Sequence, residues 1–219
     1  MAYGRSWLLI LSAMITIPFH LRRATGGLLA VLFFLLACSD TSLSAETSQP
    51  FSNLRIGFSG SMDVANGTLG DYYSPEPGFE LHLQMPFYKG VMLIGHRRMR
   101  YKADGPNRPD MKSAYTSFGW GYEFQLPLHA AFIAGAAFGS FTMNGDEDQL
   151  PSYEKRWAET EYGTSLEADL RWSFSRNISL HVTGSHVVIY TMKRLHMTYI
   201  TAGLSYKMTA PKLLREFLQ

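Results

Sequence analysis

The 219-residue chain is 46% hydrophobic, 14% aromatic and 17% charged, with a formal net charge of +2. That charge density lies below the roughly 25% of soluble domains. The aromatic content (Phe 14, Tyr 12, Trp 4) excludes a disordered tail, and the small charge argues against a nucleic-acid binder. A single cysteine permits neither an internal disulfide nor a Cys-rich zinc site.

Residues 1–45 read as a targeting leader. Arg22 and Arg23 precede Gly26-Gly27 and an apolar run from Leu28 to Ala37, after which the chain turns polar at Ser39-Asp40. A basic region, a short apolar core and small residues beyond it make a secretory signal, and the run is too short for a retained membrane helix. The segment Trp7–Phe19 is also apolar, so translation starts at Met1 or at Met14. Two cleavage readings stay open. Leu35-Leu36-Ala37-Cys38 resembles a lipobox, with Cys38 as the lipidation candidate, and Ser42-Leu43-Ser44-Ala45 resembles an ordinary signal-peptidase site. Residues 46–50 then form a short periplasmic segment.

From Phe51 onward the hydrophobic period is two, the mark of strands with unlike faces. Leu54, Ile56, Phe58 and Met62 alternate against Arg55, Gly57, Ser59 and Ser61. In the second strand Phe79, Leu81, Leu83, Met85 and Phe87 oppose Glu80, His82 and Gln84. Val91–Lys102 and Ala130–Met143 alternate weakly and count as strands because their neighbours need partners. Between them, Phe118, Trp120, Tyr122, Phe124 and Leu126 alternate against Ser117, Gly119, Gly121, Glu123 and Gln125. Tyr162–Phe174 sets Leu166, Leu170 and Trp172 against Ser165, Glu167, Asp169 and Arg171. Ile178, Leu180 and Val182 oppose Ser179, His181 and Thr183, and Thr198–Met208 closes the series of eight.

The gaps alternate in length: Asp63–Pro77 long, Tyr88–Gly90 short, Ala103–Lys112 long, Pro127–His129 short, Asn144–Glu161 long, Ser175–Asn177 short, Thr191–His196 medium. The long ones are rich in turn formers such as Asn66-Gly67 and Asp104-Gly105-Pro106-Asn107. An up-and-down transmembrane barrel has such tight turns on one side and longer loops on the other. The expected fold is therefore all-β: an eight-stranded antiparallel barrel over residues 51–208 with a plugged polar interior, followed by a periplasmic tail, residues 209–219. With the N-terminus in the periplasm, odd strands run outward and three long loops face outside.

Closure satisfies every backbone group between strands, as hydrocarbon requires. Tyr122, Phe124, Trp172, Phe174, Tyr190 and Tyr206 sit near strand ends, where interfacial girdles form. An eight-stranded interior is only wide enough for side chains. Arg55, Glu80, His82, Glu123, Glu167, Asp169, Arg171, His181 and Lys207 are accordingly expected to form an ion-paired, hydrogen-bonded plug.

On this pattern the chain resembles the small outer-membrane barrels of Gram-negative bacteria, the OmpA/OmpX-like group, over roughly Phe51 to Met208. Within it Thr201-Ala202-Gly203-Leu204-Ser205-Tyr206-Lys207-Met208 resembles the signal read by the outer-membrane assembly machinery on last strands. Thr201, Gly203, Tyr206 and Met208 carry that likeness. The family usually ends on a terminal Phe, whereas here Met208 is followed by a further tail. The resemblance implies an outer-membrane location, insertion by the assembly machinery, and a monomer.

Outer lipid and lipopolysaccharide are the expected partners. His96-Arg97-Arg98-Met99-Arg100-Tyr101-Lys102 and Lys193-Arg194 fall at the outer rim, making Arg97, Arg98, Arg100, Lys102, Lys193 and Arg194 candidates for lipopolysaccharide phosphates. The third loop carries Asp146, Glu147, Asp148, Glu154, Glu159 and Glu161 against Lys155 and Arg156. An acidic loop of that kind can meet divalent cations or a basic partner. Two rivals remain: a lipid A-modifying deacylase or acyltransferase, and a lipocalin-like binder with its apolar face inside. For catalysis, Ser185 and His186 fall on opposite faces, and Ser179 and His181 share a buried one. The expectation is a non-catalytic surface or structural protein, with no cofactor and no metal.

Overall fold

The computed structural model describes residues 50–65, 67–105, 108–145 and 158–211. The leader with Cys38 and both candidate start positions, loop residues Asp146, Glu147, Asp148, Glu154, Lys155 and Arg156, and tail residues 212–219 lie outside the described residues.

Eight strands follow in chain order: β1 (Asn53–Ala65), β2 (Tyr73–Phe87), β3 (Gly90–Ala103), β4 (Met111–Leu126), β5 (Ala130–Gly145), β6 (Ala158–Ser173), β7 (Ile178–Ile189) and β8 (Leu195–Thr209). Each pairs antiparallel with its sequence neighbours, and β1 pairs with β8 to close the barrel. Closure leaves no unpaired edge. Residues 88–89, 127–129 and 174–177 connect strands at the end that also carries both termini. The described residues of the other connections, 67–72, 104–105, 108–110 and 190–194, lie at the opposite end, where β5 also finishes and β6 begins, and the first of them contains a 3-10 helix (Gly67–Asp71). The two shortest links are tight enough to force Tyr88, Leu128 and His129 into the left-handed region, with φ of 52°, 61° and 59°.

The alternation of length holds, but the strands reach further than expected. Much of what reads as loop in sequence is strand: Asp63–Ala65 belongs to β1, Tyr73–Pro77 to β2, Met111–Lys112 to β4 and Ala158–Glu161 to β6. The first two long loops are correspondingly compact. Thr209, expected as tail, pairs with Asn53 at the end of β8.

Side chains alternate inward and outward as the pleat demands. Phe58, Phe118, Trp120, Phe138, Leu166, Leu170, Ile200 and Leu204 are exposed on the outside. A lipocalin-like arrangement needs this apolar face inside, and the barrel has it outside. The inner face changes character along the axis. Toward the termini and the middle it is mainly polar, with buried Ser59, Gln84, Asp169, Arg171, Ser179, His181 and Ser205 beside a small apolar cluster of Val91, Leu93 and Ile133. Toward the loop end it becomes an apolar core of Leu69, Met99, Tyr101, Met111, Phe141, Met143, Ile189, Met197 and Tyr199, among others. The interior is thus part polar and part apolar.

Candidate functional site

The change of the inner face has a counterpart outside. On β4 the outward series runs Phe124, Tyr122, Trp120, Phe118 and then Thr116 and Lys112. On β8 it runs Met208, Tyr206, Leu204, Ile200 and then Thr198 and His196. On β3, Met92 and Ile94 give way to His96, Arg98, Arg100 and Lys102. On β4 and β8 the outside turns polar where the inside turns apolar, whereas on β3 the inside is already apolar at Val91 and Leu93 and the outside alone changes. A barrel segment in hydrocarbon needs an apolar outside and tolerates polar contents, whereas one in water needs the reverse. On these strands the change marks one boundary of an apolar belt, with the loop-end part projecting past it.

Arg98, Arg100 and Lys102 stand on the outer surface of this projecting part. Arg98 and Arg100 are exposed, and Arg98 Nε donates to His96 Nε2 at 3.3 Å, while His96 Nδ1 lies 2.9 Å from Thr116 Oγ1. In register, Arg100 stands between Lys112 of β4 on one side and Glu76 of β2 on the other. Lys193 and Arg194 lie in the β7–β8 connection, with the Arg194 guanidinium 6.0 Å from the Tyr190 ring. This second basic group is separated from the first by β1 and β2, so the rim holds two basic sectors rather than one. His186, opposite Thr198, is also outward and within 5.7 Å of the His196 ring.

Arg97 does not belong to the rim. The pleat turns it inward, where it is 5% exposed. Its Nε and Nη2 reach Glu80 Oε2 at 2.7 and 2.5 Å, its Nη2 donates to Ser185 Oγ at 2.9 Å, and its guanidinium sits 4.2 Å from the Tyr199 ring centre. The run of cations in sequence hides this, because consecutive residues on a strand face opposite ways.

The plug candidates form connected groups. Asp169 accepts from Gln84 Nε2 and Thr183 Oγ1, each at 3.1 Å, and Gln84 Oε1 accepts from Arg171 Nη1 at 3.1 Å. Arg171 Nη2 pairs with Glu123. Arg55 Nη1 donates to Ser179 Oγ at 2.7 Å, and Ser165 Oγ to Glu167 Oε1 at 3.0 Å. His82 and His181 pack edge to face with centroids 4.4 Å apart. Lys207 is the exception. It faces inward but lines a cavity open at the terminal end, and no ion pair holds it among the described residues. Sequence reading missed the Gln84 bridge and the Tyr101 hydroxyl, which donates to Asp63 at 3.0 Å and lies 3.1 Å from the Tyr199 hydroxyl.

A nucleophile and base do meet, though not the pairs considered from sequence. Ser59 Oγ lies 3.1 Å from His181 Nε2. Both residues are 1% exposed, and His181 Nδ1 has no hydrogen-bond partner. A dyad sealed from substrate and lacking an orienting carboxylate is a packing contact. Among the described residues no three His, Cys, Asp or Glu side chains converge as metal ligands.

On β8, Gly203 faces inward against β1. A Cβ there would lie 2.1 Å from the Phe58 carbonyl oxygen and 2.5 Å from Ser59 Cα, so the seam that closes the barrel requires glycine at this position. Tyr206 and Met208 point outward from the same strand, and Thr201 is buried.

No protein-family model and no curated protein sequence matches the chain. Solved structures do. Neisserial surface protein A is similar with a TM-score of 0.54 at 14% identity, covering 71% of this chain and 96% of that one. Ail, the attachment invasion locus protein of Yersinia pestis, gives 0.46 at 14% identity over 71% and 97% of the two chains. The N-terminal β-barrel domain of Pseudomonas aeruginosa OprF gives 0.44 at 12% over 73% and 100%. The fold is that of the small eight-stranded outer-membrane β-barrels.

Proposed function

We propose that the chain is an exported outer-membrane protein of a Gram-negative bacterium, working as a monomeric barrel without catalysis, whose loop end meets lipopolysaccharide through Arg98, Arg100 and Lys102. The observation that carries this reading is the change of the outer face on β3, where outward Met92 and Ile94 are succeeded by cations just beyond the apolar belt. That is the depth at which lipid phosphates lie, and guanidinium forks match phosphate oxygens bidentately. Lys193 and Arg194 serve as a second, separate contact. Orientation follows from the leader, which delivers the N-terminus to the periplasm and sends the longer connections outside. Thr201, Gly203, Tyr206 and Met208 act in this reading as the assembly signal.

The test is binding of the refolded protein to lipopolysaccharide-containing vesicles against phosphatidylcholine vesicles. Each cation near an anionic surface contributes about 1 kcal/mol, so the triple variant Arg98→Gln/Arg100→Gln/Lys102→Gln loses roughly 100-fold in affinity. Equal binding by wild type and triple variant overturns the rim assignment. Mass spectrometry of lipid A from the same incubation is expected to show an unchanged acyl pattern, and a changed one favours a lipid A-modifying enzyme.

A further inference from the structure

The terminal end of the barrel is not filled. A cavity of about 500 Å³ opens there, within the roughly 300–1,000 Å³ of small-molecule sites. Among the described residues five cationic side chains, Arg55, Lys89, Arg171, Arg176 and Lys207, line it against one carboxylate, Glu123. That carboxylate is already paired with Arg171, which also donates to Gln84. The remaining cations differ in how they are held. Arg55 is fixed from below by Ser179, at 2.7 Å, and Ser205, at 3.5 Å. Lys89, Arg176 and Lys207 have no acidic partner among the described residues.

Several like charges gathered in a concave site with low-dielectric walls raise the local potential and concentrate counter-ions. Inward of this cup Gln84 of β2 is tied across the interior to Asp169 and Arg171 of β6, and the apolar core packs the loop end. Its floor is preorganised by the hydrogen bonds on Arg55 and Arg171, and its wall supplies mobile ammonium and guanidinium donors. We infer that this vestibule binds a small oxyanion carrying at least two negative charges, its phosphate or carboxylate groups bridging Arg55 and the cations at the mouth. The site lies at the opposite end from the basic rim and is independent of it.

The test uses the barrel refolded in a non-ionic detergent, whose headgroups carry no phosphate to compete. Backbone amide resonances are followed during titration with inorganic pyrophosphate and, separately, with citrate, and the tighter of the two identifies phosphate or carboxylate as the preferred group. The expected result is saturable shifts confined to residues around the vestibule, weakened by added salt. Arg176→Gln/Lys207→Gln is expected to weaken binding about tenfold, while Arg108→Gln in the β3–β4 connection at the other end leaves it unchanged. If the double variant does not refold, Lys207→Gln alone is expected to weaken binding about threefold. Absence of saturable shifts at millimolar anion, or the same affinity in the vestibule variants as in wild type, overturns the proposal.

Discussion

Replacing Glu80 by leucine isolates what the inward turn of Arg97 is worth. The substitution removes the acceptor of two guanidinium contacts, at 2.7 and 2.5 Å, and leaves the Ser185 bond at 2.9 Å and the Tyr199 ring in place. The Arg97 and Glu80 side chains are only 6% and 11% exposed, so water cannot substitute. Breaking such a pair from one side costs about 3–5 kcal/mol, and the two surviving contacts put this case near 3. With a urea slope of about 2 kcal/mol/M, the unfolding midpoint falls by roughly 1.5 M. Tryptophan fluorescence during urea unfolding in phosphatidylcholine vesicles reads it, through the outward Trp120 and Trp172. The double variant Glu80→Leu/Arg97→Met, which removes both charges, is expected to recover most of the loss. A drop of less than about 0.5 kcal/mol for Glu80→Leu, the size of an ordinary surface change, would refute the reasoning, because it would mean that Arg97 reaches solvent.

Other outcomes follow from the same geometry. Leu166, 66% exposed on the outside of β6, lies in the apolar belt, so Leu166→Arg costs about 2–4 kcal/mol in bilayer-based unfolding measurements. Gly57→Ala places a methyl group 2.1 Å from the His82 ring. It forces that ring off His181 and destabilises by about 1–3 kcal/mol, with the shift visible in the histidine ring resonances. Because the apolar core packs the loop end of the interior, planar-bilayer recordings are expected to show no steady conductance, and a stable open level would contradict that packing.

The fold was legible where the two faces differ. On β6, Leu166 and Leu170 against Glu167 and Asp169 leave one reading only, and the structure has those faces. On β3 and β5 the signal was weak for a physical reason. Val91 and Leu93 face inward while Met92 and Ile94 face outward, and β5 lines the interior with Ala131, Ile133, Ala137 and Phe141. With both faces apolar, alternation vanishes. Nearer the loop end of β4 and β2 polar residues face outward, which is why Met111–Lys112 and Tyr73–Pro77 resembled loops. The candidate site was half legible. The basic run was visible, but assigning Arg97 to the rim ignored the pleat. The vestibule was not visible, because Arg55, Lys89, Arg176 and Lys207 come from four distant parts of the chain and meet only on closure.

Nitroxide labels placed singly at positions 163 to 170 on β6 test the central claim, that the greasy outer face touches hydrocarbon. In bilayers, oxygen accessibility is expected to be high at Thr164, Leu166, Ala168 and Leu170 and low at Gly163, Ser165, Glu167 and Asp169. The opposite phase, or accessibility without a two-residue period, would contradict the account.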